Sequence, residues 1–125
     1  MTIQIVKTDK APEAVGTYSQ GAIYNGVFYF SGQIGLDPET MKLRDTFDEQ
    51  LTQVMKNIDG LLEECSLNRK QIVKTSIFLT DLNDFAKVNQ AYIEFFEKPY
   101  PARSCVEVSA LPKGALVEIE VIAAK

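Results

Sequence analysis

Thr46–Cys65 reads TFDEQLTQVMKNIDGLLEEC, and Ile72–Thr80 reads IVKTSIFLT. These neighbouring segments decide the fold class, because each carries a different hydrophobic period. In the first, Phe47, Leu51, Val54, Met55, Ile58, Leu61, Leu62 and Cys65 recur at the spacing of one helix face. Thr46-Phe-Asp-Glu49 matches a capping box: the Thr oxygen accepts from an orphaned backbone N–H while the Glu reaches back to the cap. This predicts a helix ending near Cys65 or Ser66. In the second segment, Val73, Thr75, Ile77 and Leu79 share one face, and Ile72, Lys74, Ser76, Phe78 and Thr80 share the other, which is the period of a strand.

Downstream, Asn83 to Glu97 reads as a second helix with Phe85, Val88, Tyr92, Phe95 and Phe96 on its apolar side, stopped by Pro99 and Pro101. Arg103–Val108 and Leu116–Ala123 read as the last two strands. Upstream, Ile3–Val6 is a short β-branched run, and Lys10–Thr17 is a loop. Ser19–Tyr24 and Val27–Gln33 flank Asn25-Gly26, a pair suited to a type I′ hairpin because both positions tolerate positive φ. No linker or repeat interrupts the chain, so residues 1–125 are read as a single domain. The expected fold is α+β: a mixed sheet of about six strands with two helices packed on one face. Several strands are apolar on both faces, Val27 and Tyr29 against Phe28 and Phe30, for example. A sheet with one wet face alternates more cleanly. The helix-free face is therefore expected to be covered by another subunit; the alternative is an open face that is slightly apolar.

Length and charge narrow the function. A chain of 125 residues and 14.0 kDa holds a real core without disulfides or a metal. It has no histidine, which removes Ser-His-Asp and Cys-His catalysis and His-ligated metals. Thirteen Lys and Arg against seventeen Asp and Glu give a net charge of −4 and a pI near 4.8. Such a chain gains nothing overall from the counterion release behind most nucleic-acid binding, and no Lys/Arg cluster stands out. No apolar run approaches the roughly 18 residues of a membrane span. The first residues lack the pattern of a signal peptide. A cytoplasmic protein is expected, with no membrane or nucleic-acid partner and with Cys65 and Cys105 as free thiols.

A few residues break their local pattern. With Phe85 at zero and about 100° per residue, Asn89 falls at roughly 40°, inside the apolar arc of the second helix. A buried amide needs hydrogen bonds, so Asn89 either ties a neighbouring loop to the helix or belongs to a site. Arg103 opens a strand whose alternate positions are Arg103, Cys105 and Glu107, which taken alone reads as a solvated face. Glu118 and Glu120 are framed by Leu116 and Ile122, a partly buried polar face. Pairing of the last two strands would bring Arg103 and Glu118 together. Tyr18-Ser19-Gln20-Gly21 and Ser31-Gly32-Gln33-Ile34-Gly35 set hydroxyls beside glycines, where a backbone approaches a ligand closely. Neither has the spacing of a phosphate loop.

Taken together, Gly16-Thr-Tyr-Ser-Gln20, Phe30-Ser-Gly-Gln-Ile-Gly35, Val88-Asn-Gln-Ala-Tyr92, Pro101-Ala-Arg-Ser-Cys105 and Val117-Glu-Ile-Glu120 resemble the RidA (reactive intermediate deaminase A) or YjgF-like family of enamine/imine deaminases. The resemblance spans nearly the whole chain. It implies a chorismate-mutase-like fold assembled as a homotrimer, with sites in clefts between subunits. It also implies metal-free, cofactor-free hydrolysis of 2-imino acids such as 2-iminobutanoate and 2-iminopropanoate, and of enamines such as 2-aminoacrylate, to 2-keto acids and ammonia. By position, Arg103 resembles the clamp for the substrate carboxylate, and Glu118 the residue that orients water or moves protons. Tyr18, Ser31, Asn89 and Cys105 resemble the remaining pocket residues. Thr17 departs from the family, where many members have proline. The alternatives are a non-catalytic binder of small carboxylates or keto acids and, further off, an RNA-acting translation inhibitor.

Overall fold

The computed structural model describes residues 2–125. Strands β1 (Gln4–Val6), β2 (Gly21–Tyr24) and β3 (Val27–Phe30) precede helix α1 (Phe47–Glu64). Strand β4 (Ile72–Leu79), helix α2 (Phe85–Phe95), strand β5 (Ala102–Glu107) and strand β6 (Val117–Ala124) follow. Every expected element is present. Thr46 and Glu49 form the capping box at α1, and the hairpin turns on Asn25 and Gly26 with φ of 52° and 77°. Cys65 closes α1, and both cysteines are free.

The sheet order is β1-β2-β3-β6-β4-β5, antiparallel throughout except that β4 and β5 run parallel. The last two strands therefore do not pair, contrary to the condition under which Arg103 and Glu118 would meet. α2 is the crossover that returns the chain parallel to β4, so β5 takes the edge and β4 lies between it and β6.

Thr75, Ile77 and Leu79 of β4 and Val117, Ile119, Val121 and Ala123 of β6 are buried on the helix side, with Leu51, Val54, Ile58, Leu61 and Leu62 of α1 and Val88, Tyr92 and Phe95 of α2. The strand reading erred at its first two residues. A register shift between Ile72 and Lys74 turns Ile72 into the core and leaves Val73 exposed, as a bulge does by adding one residue to the alternation.

A polar edge of α1 was not anticipated. Gln50, Gln53 and Asn57 are buried. Asn57 donates to the carbonyls of Ile34 and Leu36, at 3.3 and 3.0 Å. Gln50 donates to the Arg44 carbonyl and accepts from the Leu116 N–H, at 3.0 and 2.8 Å. These amides bind the 33–44 loop and the start of β6 to α1, supplying partners that buried backbone groups require. Gly60 marks a second close approach. A Cβ there would lie 2.1 Å from the Lys10 carbonyl oxygen, a backbone atom with little freedom to retreat. Gly60→Ala is expected to destabilise the fold by about 1–3 kcal/mol as an overpacked site, read as a lower denaturant midpoint at unchanged slope.

The face away from the helices stays open in the single chain. Ile5 (59% exposed), Tyr29 (51%), Val106 (47%) and the partly exposed Phe78 and Ile122 lie on it. Among the described residues, no helix is long and apolar enough to cross a membrane.

Candidate active site

Two groups of polar residues face opposite sides of the sheet. The first is built on β5 and α2. In the parallel ladder Arg103 sits beside Thr75 and Cys105 beside Ile77, so both point to the helix side. The short turn that precedes α2 is tied to the end of β5, where the Leu82 N–H donates to the Glu107 carboxylate at 2.9 Å. Within α2 itself, Arg103 Nη1 donates to Asn89 Oδ1 at 2.6 Å. The pattern-breaking amide thus binds a strand side chain, not a loop. The guanidinium carbon also lies 5.0 Å from the Phe85 ring centre and 5.6 Å from that of Tyr92. Among the described residues, no carboxylate lies within 4.0 Å of Arg103. One of its five N–H donors is committed to Asn89, leaving the rest of the fork for an anion.

Burial raises the Cys105 thiol above its ordinary pKa, with Arg103 partly opposing it. The shift disfavours the thiolate, the form that a nucleophilic cysteine uses. Burial lifts the Tyr92 phenol to about 12. Its hydroxyl lies buried beside that of Thr75, and among the described residues neither has a partner in well-formed hydrogen-bond geometry.

The second group lies across the sheet. Glu118 stands opposite Phe78, three residues along β4 from Thr75, and so points away from the helices. It lines a pocket of about 720 Å³ with Tyr18, Ser31, Gly32, Lys113 and Glu120. Tyr18 is 55% exposed on the rim. Ser31 donates its hydroxyl to the Ser19 carbonyl at 2.5 Å, and its oxygen retains the capacity to accept. Gln33 exchanges backbone bonds with Ile119, at 2.8 and 3.1 Å, and so lays the Ser31–Gln33 segment against β6 beside Glu118. Burial, and secondarily Glu120, push the Glu118 carboxyl above the ordinary glutamate range. The structure thus brings Arg103, Asn89 and Cys105 together, and Tyr18, Ser31 and Glu118 together. Within one chain it separates the two sets by the thickness of the sheet.

Residues 8–125 match the family profile described as Endoribonuclease L-PSP, a profile of the YjgF/RidA group. The chain belongs to the RidA family. It is 48% identical over 122 residues to a RutC family protein of Aquifex aeolicus, covering 96% of this chain and 98% of that protein. It is 40% identical over 121 residues to the human 2-iminobutanoate/2-iminopropanoate deaminase, covering 96% of this chain and 88% of that one. The crystal structure of RidA from the Antarctic bacterium Psychrobacter sp. superposes with a TM-score of 0.95 at 48% identity, over 98% and 99% of the two chains. The sheet and helices described above are therefore the fold of RidA-family structures.

Gln20 and Gly32 border the group of Tyr18, Ser31 and Glu118, and the sequence motifs that contain them give neither a role of its own. Gln20 is buried, accepts from the Thr8 N–H at 2.7 Å and donates to the carbonyls of Thr8, Ala11 and Pro12. It anchors the loop that leads to Tyr18, a role for which its sequence neighbours carry no signal. Gly32 was named only as a neighbour of Ser31. A Cβ on it would lie 2.5 Å from Glu118 Oε2 and 2.9 Å from Cδ. The obstructed atoms are the free end of a side chain, so Gly32→Ala moves the carboxyl and spares the fold. It is expected to reduce turnover by about tenfold or more, as misplaced reacting groups do, with the melting temperature unchanged.

Proposed function

We propose that the protein is an enamine/imine deaminase acting on small 2-imino acids, 2-iminopropanoate and 2-iminobutanoate among them, in a homotrimer whose sites lie between subunits. The observation that carries this reading is the state of Arg103. It is a guanidinium fixed by Asn89 and two aromatic rings, with no carboxylate of the described residues within 4.0 Å. A planar fork held in that way grips a substrate carboxylate through two charge-assisted bonds and sets its plane, which lysine does not do.

The chemistry asks little more of the protein. A protonated imine carbon is already electrophilic, so attack by water calls on no metal and no covalent nucleophile. Burial, and secondarily Glu120, favour the protonated form of Glu118 relative to an exposed glutamate. Glu118 can deliver that proton to the enamine carbon or the departing nitrogen, and as carboxylate it can orient the water. Water adds to C2, the C–N bond breaks, ammonia leaves, and a 2-keto acid remains. Tyr18, Ser31 and Cys105 wall the substrate. Because Arg103 and Glu118 face opposite sides of the sheet, the reading requires that edge strand β5 of one subunit reach the Glu118 pocket of the next. The exposed Ile5, Tyr29 and Val106 supply an apolar surface for that contact.

The test is a coupled assay in which a pyridoxal-phosphate dehydratase generates 2-aminoacrylate from serine. Addition of the protein is expected to speed pyruvate formation severalfold. Saturable 2-ketobutanoate binding without such acceleration would replace the deaminase by a binding module. Salt-sensitive RNA cleavage in its place would favour the activity that the family profile's description names.

A further inference from the structure

We propose that Phe85 and Tyr92 are positioning residues for Arg103, holding its guanidinium through their ring faces so that its charge stays free for substrate; this rests on the deaminase reading. Three α2 residues contact the guanidinium: Phe85 and Tyr92 by their rings, at 5.0 and 5.6 Å, and Asn89 by its amide oxygen at 2.6 Å. Their spacing of four and then three residues places them in one stripe along the helix. Both ring distances fall within the roughly 6 Å over which a cation is attracted to an aromatic face.

The choice of partners matters chemically. Proteins commonly fix an arginine with a carboxylate, as Asp59 fixes Arg69 in this chain, with Nη2 to Oδ2 at 2.7 Å. At Arg103 that solution would cancel the charge needed for the substrate. A neutral amide and two ring faces orient the group and leave its charge unneutralised. Tyr92 is itself immobilised by burial, its hydroxyl beside that of Thr75, the cross-strand neighbour of Arg103. Phe85 is only partly buried, so its ring can be altered with least damage to the core.

Phe85→Leu keeps an apolar side chain and removes the ring face. It is expected to weaken 2-ketobutanoate binding about three- to tenfold by isothermal titration, and to raise KM to match, with kcat within about twofold of the parent. Phe85→Tyr should restore both values. Pentafluorophenylalanine at position 85 keeps the ring's shape and abolishes its negative face. It should weaken binding in the same direction, and it serves if the leucine variant fails to fold. A fluorinated protein that binds as the parent does overturns the proposal. So does a leucine variant in which kcat, KM and melting temperature decline together without rescue by tyrosine. Arg103→Ala is titrated alongside: if it too binds 2-ketobutanoate normally, the deaminase reading has failed, whereas its loss with the ring variants unaffected removes the aromatic role alone.

Discussion

Arg103→Ala is expected to lower kcat/KM for 2-iminopropanoate hydrolysis by about 10²- to 10⁴-fold, the loss of two hydrogen bonds to a charged group at roughly 1.5–3 kcal/mol each. The fold should be untouched, because the side chain lies on the exposed edge strand and its one hydrogen bond runs to a partly buried amide. Most of the loss should appear in KM and in the affinity for 2-ketobutanoate. Arg103→Lys separates charge from geometry. A lysine keeps the attraction but neither spans the carboxylate nor sets its plane, so it should recover binding in part and turnover less. The measurement is steady-state kinetics in the dehydratase-coupled assay, with the melting temperature as control. Equal rates for the parent and Arg103→Ala would remove this residue from the mechanism.

Elements were legible in the sequence because local physics decides them. The capping box at Thr46, the Asn25-Gly26 turn and the prolines behind α2 each act through their own backbone. What failed to show was long-range. The insertion of β4 between β5 and β6 follows from packing the α2 crossover, and no periodicity within those strands encodes it. The shift at Ile72 depends on the partner strand. The amides of α1 were legible in principle, since Gln50, Gln53 and Asn57 recur at helical spacing beside the apolar arc; only the loop they bind shows that they are buried. The site divides in the same way. Asn89 stood out as polar within an apolar arc, and its partner proved to be Arg103. The location of Arg103 and Glu118 on opposite faces emerged only with the register of the sheet.

That division has a consequence for mixed oligomers. Glu118→Gln keeps the size of the side chain and removes its proton exchange, and is expected to cost about 10²- to 10⁴-fold in kcat, the usual contribution of a positioned acid or base. Burial and Glu120 raise the carboxyl above its ordinary pKa, so its acid form survives to higher pH. An alkaline limb, where kcat falls as that proton is lost, should be present in the parent and absent in Glu118→Gln. The decisive experiment combines the two inactive variants. If each site takes Arg103 from one subunit and Glu118 from the next around a closed ring, one subunit must be Glu118→Gln and its neighbour Arg103→Ala for the site to be intact. Random mixing at equal ratio then restores about one quarter of parental activity, since each of the two choices is met half the time. Co-refolding the variants from denaturant supplies the mixture, and refolding each alone supplies the blank. Recovery near a quarter requires a site shared between chains. A mixture as inactive as its components, with subunit exchange verified by mass, would mean that Arg103 and Glu118 do not complete one another across an interface.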